Sequence, residues 1–127
     1  MAGTLTISTL SDGTNSTSST NCIQGSAKAW VNYTGAAGAV QASYNVSSVT
    51  RNGTGDYTIN FTNALTDANY AIAGGLLGTT VSGGSFQIAG ASATGTPTTK
   101  TTTQVRVYSA NNSGVFDSGN ISAIILR

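Results

Sequence analysis

Apolar and polar side chains alternate over many short stretches of the chain, which is the pattern of half-buried β-strands. The clearest case is residues 57–62, YTINFT, where Tyr57, Ile59 and Phe61 fall on one face. Residues 26–33, SAKAWVNY, alternate in the same way and place Trp30 on the face opposite Val31. Further strands are predicted in residues 4–10, 38–46, 47–50, 71–77, 86–88, 102–110 and 121–127.

The segments between these strands are rich in glycine, asparagine, serine and threonine, which favour turns. Asn52-Gly53 is predicted to supply the positive φ angles of a tight hairpin turn before residues 57–62. Residues 11–21 are predicted to form a loop, and residues 93–103 a long polar connection. No window has the apolar spacing of an amphipathic helix, so we expect an all-β fold: an antiparallel β-sandwich or a jelly-roll-like barrel.

The chain of 127 residues has the length of one ordinary domain. We expect an extended N-terminal arm with a short strand over residues 1–22 and a β-sandwich domain over residues 23–127. The polar composition of residues 11–21 separates the two parts.

The last strand contains a continuous apolar run, Ile124, Ile125 and Leu126, which indicates cover on both faces. A small sandwich covers only one face of each sheet, so the second cover would come from another subunit or a larger assembly. Large apolar residues are also few for a domain of this size. We therefore predict a homo-oligomer, most simply a trimer, with these three residues in subunit packing.

Trp30 is the one tryptophan of the chain. A tryptophan that stacks on a sugar normally lies on an exposed loop with polar partners, whereas Trp30 lies in the middle of a predicted strand. Its large ring suits a sheet surface that a neighbouring subunit covers. We therefore predict packing or subunit contact for Trp30, with ligand stacking as the alternative.

Charge and hydrophobicity argue against several partners and locations for this chain. Charged residues make up 7% of the chain, the net charge is +1, and the five basic residues are scattered, so nucleic acid is not an expected partner. No apolar run approaches the roughly 20 residues that span a bilayer, so no membrane is expected. The first 20 residues lack the basic start and apolar segment of a secretory signal.

The chain has no histidine and no glutamate, which removes a Ser–His–Asp triad and the usual zinc ligands. Its four aspartates all lie in turn-like settings, where Asp usually hydrogen-bonds its own backbone. A carboxylate pair of the glycosidase type and calcium held by loop oxygens are the alternatives. Cys22 is alone, so no intrachain disulfide forms. We expect no enzymatic activity, no cofactor and no metal.

Three stretches carry a resemblance to a known group: GSAKAWVNYTG, SYNVSSVTRNGTGDYTINFTNALTDANYAIAG and RVYSANNSGVFDSGNISAIILR. They resemble short β-rich modules of tailed bacteriophages that are often described as tail-fibre-like. The resemblance covers most of residues 24–127, is most specific over 45–62, and is weakest over 76–103. It implies a trimeric, non-enzymatic protein on the outer surface of the virion, made in the host cytoplasm.

Two functions fit this resemblance. In the first, the chain is a capsid-decorating (cement) protein that self-associates and clasps capsid subunits with its flanks and N-terminal arm. In the second, it is a tail-fibre tip that holds host-surface glycans in the loop 111–120, where Asn111, Asn112 and Asp117 are the candidate contacts. Only about 20 residues precede the module, without the heptads of a coiled-coil shaft, so we expect decoration of the capsid.

Overall fold

The computed structural model describes residues 3–77, 84–88 and 100–127. Strands make up 56% of these residues and every pairing between strands is antiparallel, which confirms the all-β prediction in its main part. The strands are β1 (Thr9–Ser11), β2 (Ser16–Ser18), β3 (Ala27–Tyr33), β4 (Val40–Tyr44), β5 (Val46–Gly53), β6 (Asp56–Phe61), β7 (Ala71–Leu77), β8 (Ser85–Ile88), β9 (Gln104–Asn111), β10 (Gly114–Val115) and β11 (Asn120–Leu126). The helix α1 spans Ser19–Gly25.

The strands form three sheets. A two-stranded sheet joins β1 to β2, and a four-stranded sheet has the order β4-β3-β11-β7. In the five-stranded sheet β5, β6 and β9 lie side by side, and β9 also pairs with β8 and β10. None of these sheets closes into a barrel within the described ranges.

One hydrophobic core joins the two larger sheets. Alternate residues of β3 and β11 are buried on one side, and alternate residues of β6 and β9 on the other. The core includes Ala29, Val31, Tyr33, Tyr57, Ile59, Phe61, Val105, Val107, Ile121, Ala123 and Ile125. The prediction that Tyr57, Ile59 and Phe61 share a buried face is confirmed, because their relative exposure is at most 8%.

Asn45 makes the corner at which the chain passes from the four-stranded to the five-stranded sheet. Its φ angle is 54°, a conformation that asparagine tolerates better than most residues. Its side-chain amide donates to the carbonyl of Lys28 at 3.0 Å, and its side-chain oxygen accepts from the backbone N–H of Asn63 at 2.8 Å. The side chain therefore ties the corner to both neighbouring segments.

The N-terminal segment differs from the prediction in two ways. The strand begins at Thr9 rather than Thr4, and Leu5 is 81% exposed. The segment 11–21 is not a loop throughout, because it holds β2 and the start of α1. Local polar contacts explain both elements: Asp12 accepts from two backbone N–H groups in the β1–β2 turn, and the Ser18 side chain caps the helix by accepting from Asn21.

The predicted hairpin between β5 and β6 exists, but its turn lies two residues later than expected. Gly53 pairs with Asp56, and the turn residues are Thr54 and Gly55. The positive φ angle is at Gly55 (64°), not at Asn52 or Gly53. The prediction of a turn at Asn52-Gly53 was wrong because β5 continues through both residues. Residues 93–99 of the predicted polar connection lie outside the described residues.

Candidate functional site

The face of the four-stranded sheet that points away from the core, here called the outer face, carries an exposed row of apolar side chains. The register places Ala73, Ile124, Trp30 and Tyr44 side by side across β7, β11, β3 and β4. Ile124 is 38% exposed, Trp30 39% and Tyr44 58%. We call these four residues the apolar row. Apolar side chains aligned across a whole sheet mark a surface suited to binding another apolar surface.

The next row of the outer face contains small or polar residues: Gly75, Ser122, Asn32 and Ala42. Space above Gly75 is open, since a Cβ built there meets no atom within 4 Å. Three residues of this row and three of the apolar row line a shallow depression of about 500 Å³: Gly75, Ser122 and Asn32, with Ala73, Ile124 and Trp30. Its shape and lining suit inserted apolar side chains, because it contains no charged residue.

Lys28 lies on the same face, two residues before Trp30 in β3. Its ammonium group donates to the side-chain oxygen of Ser26 at 2.7 Å and to the backbone carbonyl of Ile23. These bonds join β3 to the end of α1. Lys28 is therefore the cation at the edge of the apolar row.

A second exposed apolar surface lies in the N-terminal unit, by which we mean residues 3–25 with β1, β2 and α1. The exposed fractions are 81% for Leu5, 39% for Ile7, 53% for Leu10 and 64% for Ile23. These side chains line a depression of about 370 Å³, together with Cys22 and two polar residues. The unit thus presents apolar side chains that its own short elements do not cover.

The residues that were predicted for subunit packing do not all lie on the same face of the sheet. Trp30 and Ile124 are direct neighbours on the outer face, and Leu126 is half-buried beside Ala71 on β7. Ile125 points into the core with 0% exposure, so its contacts are with its own chain. A β-strand turns successive side chains to opposite faces, so a continuous apolar run does not by itself place each member on the outer face.

Sequence reasoning did not select Tyr44 and Ala73, although both belong to the apolar row. The alternation in β4 does place Tyr44 on one face, but only the register shows that it lies beside Trp30. Ala73 is too small to stand out in a sequence. It joins the row because it pairs with Ile124.

The predicted apical loop is largely tied down by its own chain. The carboxylate of Asp117 accepts from the Arg51 guanidinium at 2.6 Å, from the Tyr57 hydroxyl at 2.7 Å and from the Gly55 backbone N–H at 2.9 Å. The Arg51 hydrogen bond is the main reason that the pKa of Asp117 falls to about 2. Asn111 accepts from the Ser113 backbone N–H, while Asn112 is exposed. These three contacts tie Asp117 to β5, β6 and the turn between them.

The carboxylates of two other aspartates are also bound by arginines of the same chain. Asp56 pairs with Arg106 and Asp67 pairs with Arg127, and both interactions hold the pKa of the carboxyl below its ordinary value. For Asp67 a backbone hydrogen bond from Asn69 is the larger cause. Within the described residues no three metal-ligating side chains of the His, Cys, Asp or Glu type lie together. The aspartates thus act mainly in ion pairs and turns.

No family model, curated protein or solved structure matches this chain. Within the ranges that the structure describes, the helix is too short to cross a membrane.

Proposed function

We propose that this chain is a non-enzymatic structural protein that assembles with copies of itself through the outer face of its four-stranded sheet. The apolar row is the observation that carries this proposal. Ile124, Trp30 and Tyr44 are each more than a third exposed and lie together across three strands. Full burial of an exposed apolar side chain contributes about 1.5–3 kcal/mol, and association would gain the part of this that belongs to the surface still exposed on each residue.

The proposed setting is the outer surface of a tailed-phage virion, where the chain decorates the capsid as a trimeric β-sandwich. The resemblance of residues 24–127 to phage β modules supports the virion. The single core between the two larger sheets supports the sandwich class. A capsid-decorating protein needs self-association and capsid contact rather than catalysis, and an apolar face on a stiff sheet serves that need.

The alternative is a tail-fibre tip that binds host-surface glycans through the loop 111–120. The loop geometry gives this alternative less support, because Asp117 is bound by Arg51 and Tyr57. Exposed side chains such as Asn112 would then have to supply the specificity.

Sedimentation velocity on the purified protein tests self-association. We expect an oligomer at micromolar concentration and a shift to monomer for Ile124→Thr, which removes one member of the apolar row. Val115→Thr is the control: Val115 is 50% exposed and lies in β10 of the other sheet, opposite Ala110. A monomeric wild-type protein, or equal effects of the two substitutions, would contradict the proposal.

Antibody labelling of intact particles tests the location. Signal over the head supports decoration of the capsid, and signal confined to tail appendages supports the alternative. Particles that carry no signal at either place would contradict a virion protein.

A further inference from the structure

The three ion pairs of the described residues leave one aspartate and two lysines without ionic partners. All nine charged side chains lie within the described ranges. Three aspartates pair with three arginines: Asp117 with Arg51, Asp56 with Arg106, and Asp67 with Arg127. Within these ranges Asp12 has no cationic partner, and neither Lys28 nor Lys100 has a carboxylate partner. Lys100 instead donates to the backbone carbonyl of Tyr70 at 2.8 Å. Asp12 lies in the N-terminal unit, whereas Lys28 lies on the outer face.

Exposed apolar side chains also occur in both places, on the N-terminal unit and on the outer face. Leu10 and Ile23 are more than half exposed in the N-terminal unit, and Trp30 and Ile124 are exposed on the outer face. Each surface therefore combines uncovered apolar side chains with one charge of a given sign. The negative charge is on the unit and the positive charge is on the face, so the two surfaces are complementary.

The N-terminal unit is joined directly to the start of β3. A single residue, Ser26, separates the end of α1 at Gly25 from the start of β3 at Ala27. The bonds of the Lys28 ammonium group to Ile23 and Ser26 hold α1 at the beginning of β3. This short connection and these bonds fix the end of α1 beside Lys28, at the beginning of β3.

We propose that the N-terminal unit of one copy docks on the outer face of a second copy. Leu10 and Ile23 cover Trp30 and Ile124, and Asp12 of one copy pairs with the Lys28 ammonium group of the other. This inference rests on the proposed self-association and specifies its geometry. Each copy contributes one unit and accepts one, so the contact is heterologous and closes into a ring, such as a trimer, when the rotation between copies permits.

Complementation between two defective variants tests this geometry. The first variant, Leu10→Ser with Ile23→Ser, has a damaged N-terminal unit and an intact outer face. The second variant, Trp30→Ala with Ile124→Thr, has a damaged face and an intact unit. We expect each variant alone to sediment as a monomer, with association weakened by more than about tenfold. Mixed at equal concentration they should form a one-to-one heterodimer, because one intact unit and one intact face remain.

Other outcomes overturn the inference in recognisable ways. If the unit variant alone keeps the wild-type mass, the copies associate face to face; the geometry is then wrong but self-association stands. If the wild-type protein is itself monomeric, the proposed function fails together with the inference. Ile88→Thr with Val115→Thr is the control, because it removes two exposed apolar side chains from the other sheet. Circular dichroism of every variant checks that it is folded.

A double-mutant cycle tests the ion pair independently of the apolar contacts. Asp12→Asn keeps an oxygen that can accept the turn hydrogen bonds from Thr14 and Asn15 but removes the charge. We expect Asp12→Asn and Lys28→Gln each to weaken association roughly two- to fivefold, which is the range of an exposed ion pair. The double variant should be no weaker than either single variant. Additive losses would contradict a direct pair between copies.

Discussion

Tyr33 and Tyr57 pack edge to face across the core, with ring centroids 5.2 Å apart, but their hydroxyl groups have different surroundings. The Tyr57 hydroxyl donates to the Asp117 carboxylate at 2.7 Å. The Tyr33 hydroxyl is buried and has no hydrogen-bond partner in the described part of the chain. Burial is the main reason that the pKa of both phenols is raised. Two neighbouring tyrosines thus contribute differently to stability.

Removal of each hydroxyl should show this difference. Tyr57→Phe deletes a hydrogen bond to a partly exposed carboxylate, so we expect a loss of about 1.5 kcal/mol in the free energy of unfolding, the lower end for a charged acceptor. Tyr33→Phe removes an unpartnered buried hydroxyl, so we expect no loss and a gain of up to about 1 kcal/mol. Urea denaturation measures both variants. Equal losses for the two would show that the Tyr33 hydroxyl has a partner.

Stability should fall at acidic pH, and Asp117 should account for part of the fall. Its pKa in the folded protein is about 2, below the ordinary value of 3.8, because Arg51 and Tyr57 donate to the carboxylate. A lowered pKa stabilises the folded state above pH 4, and this stabilisation is lost as the pH falls through about 2. Asp56 and Asp67 act in the same direction.

Denaturation of the wild-type protein and of Asp117→Asn at pH 2, 4 and 7 measures this contribution. The substitution should lower stability at pH 7 and reduce the difference between pH 4 and pH 2. The chain has no histidine, so we expect little change between pH 5 and 7. An unchanged acid slope in Asp117→Asn would assign the effect to the other aspartates.

The position of the β5–β6 turn gives a third prediction. Gly55 has a φ angle of 64°, and a Cβ built there would lie 2.6 Å from the backbone oxygen of Ser109. Gly55→Ala should therefore cost about 1–2 kcal/mol for the left-handed conformation alone, with the backbone clash in addition. Gly53→Ala is the matched control, since its Cβ meets nothing within 4 Å. Thermal unfolding compares the stability of the two variants. A larger loss of stability in Gly53→Ala would instead support a turn at Asn52-Gly53.

The strands that were predictable from the sequence are those in which one face is buried. In β3, β6 and β9 the alternation of side chains matches the alternation of burial, because a strand between a core and solvent requires that pattern. The N-terminal unit was not predictable in this way. Its β1–β2 turn and its helix start depend on hydrogen bonds to the side chains of Asp12 and Ser18, and its apolar residues Leu5 and Leu10 are exposed.

The candidate site could be predicted only in part. Trp30 and Ile124 were accessible to sequence reasoning because each is large and apolar on a predicted strand. Their contact with Tyr44 and Ala73 arises from the order β4-β3-β11-β7, in which β11 from the end of the chain lies between β3 and β7. Such non-local pairing leaves no periodic signal in a sequence. The separation of Ile124 from Ile125 follows from the same register.

The last prediction concerns these two adjacent isoleucines, which should separate folding from assembly. Ile125 is 0% exposed in the core, so Ile125→Ala leaves a cavity and should lower the free energy of unfolding by about 2–5 kcal/mol. Ile124 is 38% exposed on the outer face, so Ile124→Ala should cost less than half of that at concentrations where the protein is monomeric.

The effect on association should have the opposite ranking, with the larger effect from Ile124→Ala. By sedimentation at a temperature where both variants remain folded, Ile124→Ala should weaken the oligomer while Ile125→Ala keeps the wild-type mass. The physical reason is that only the Ile124 side chain lies in the apolar row, beside Trp30. An oligomer that tolerates Ile124→Ala but not Ile125→Ala would mean that the subunits assemble through a surface other than the outer face.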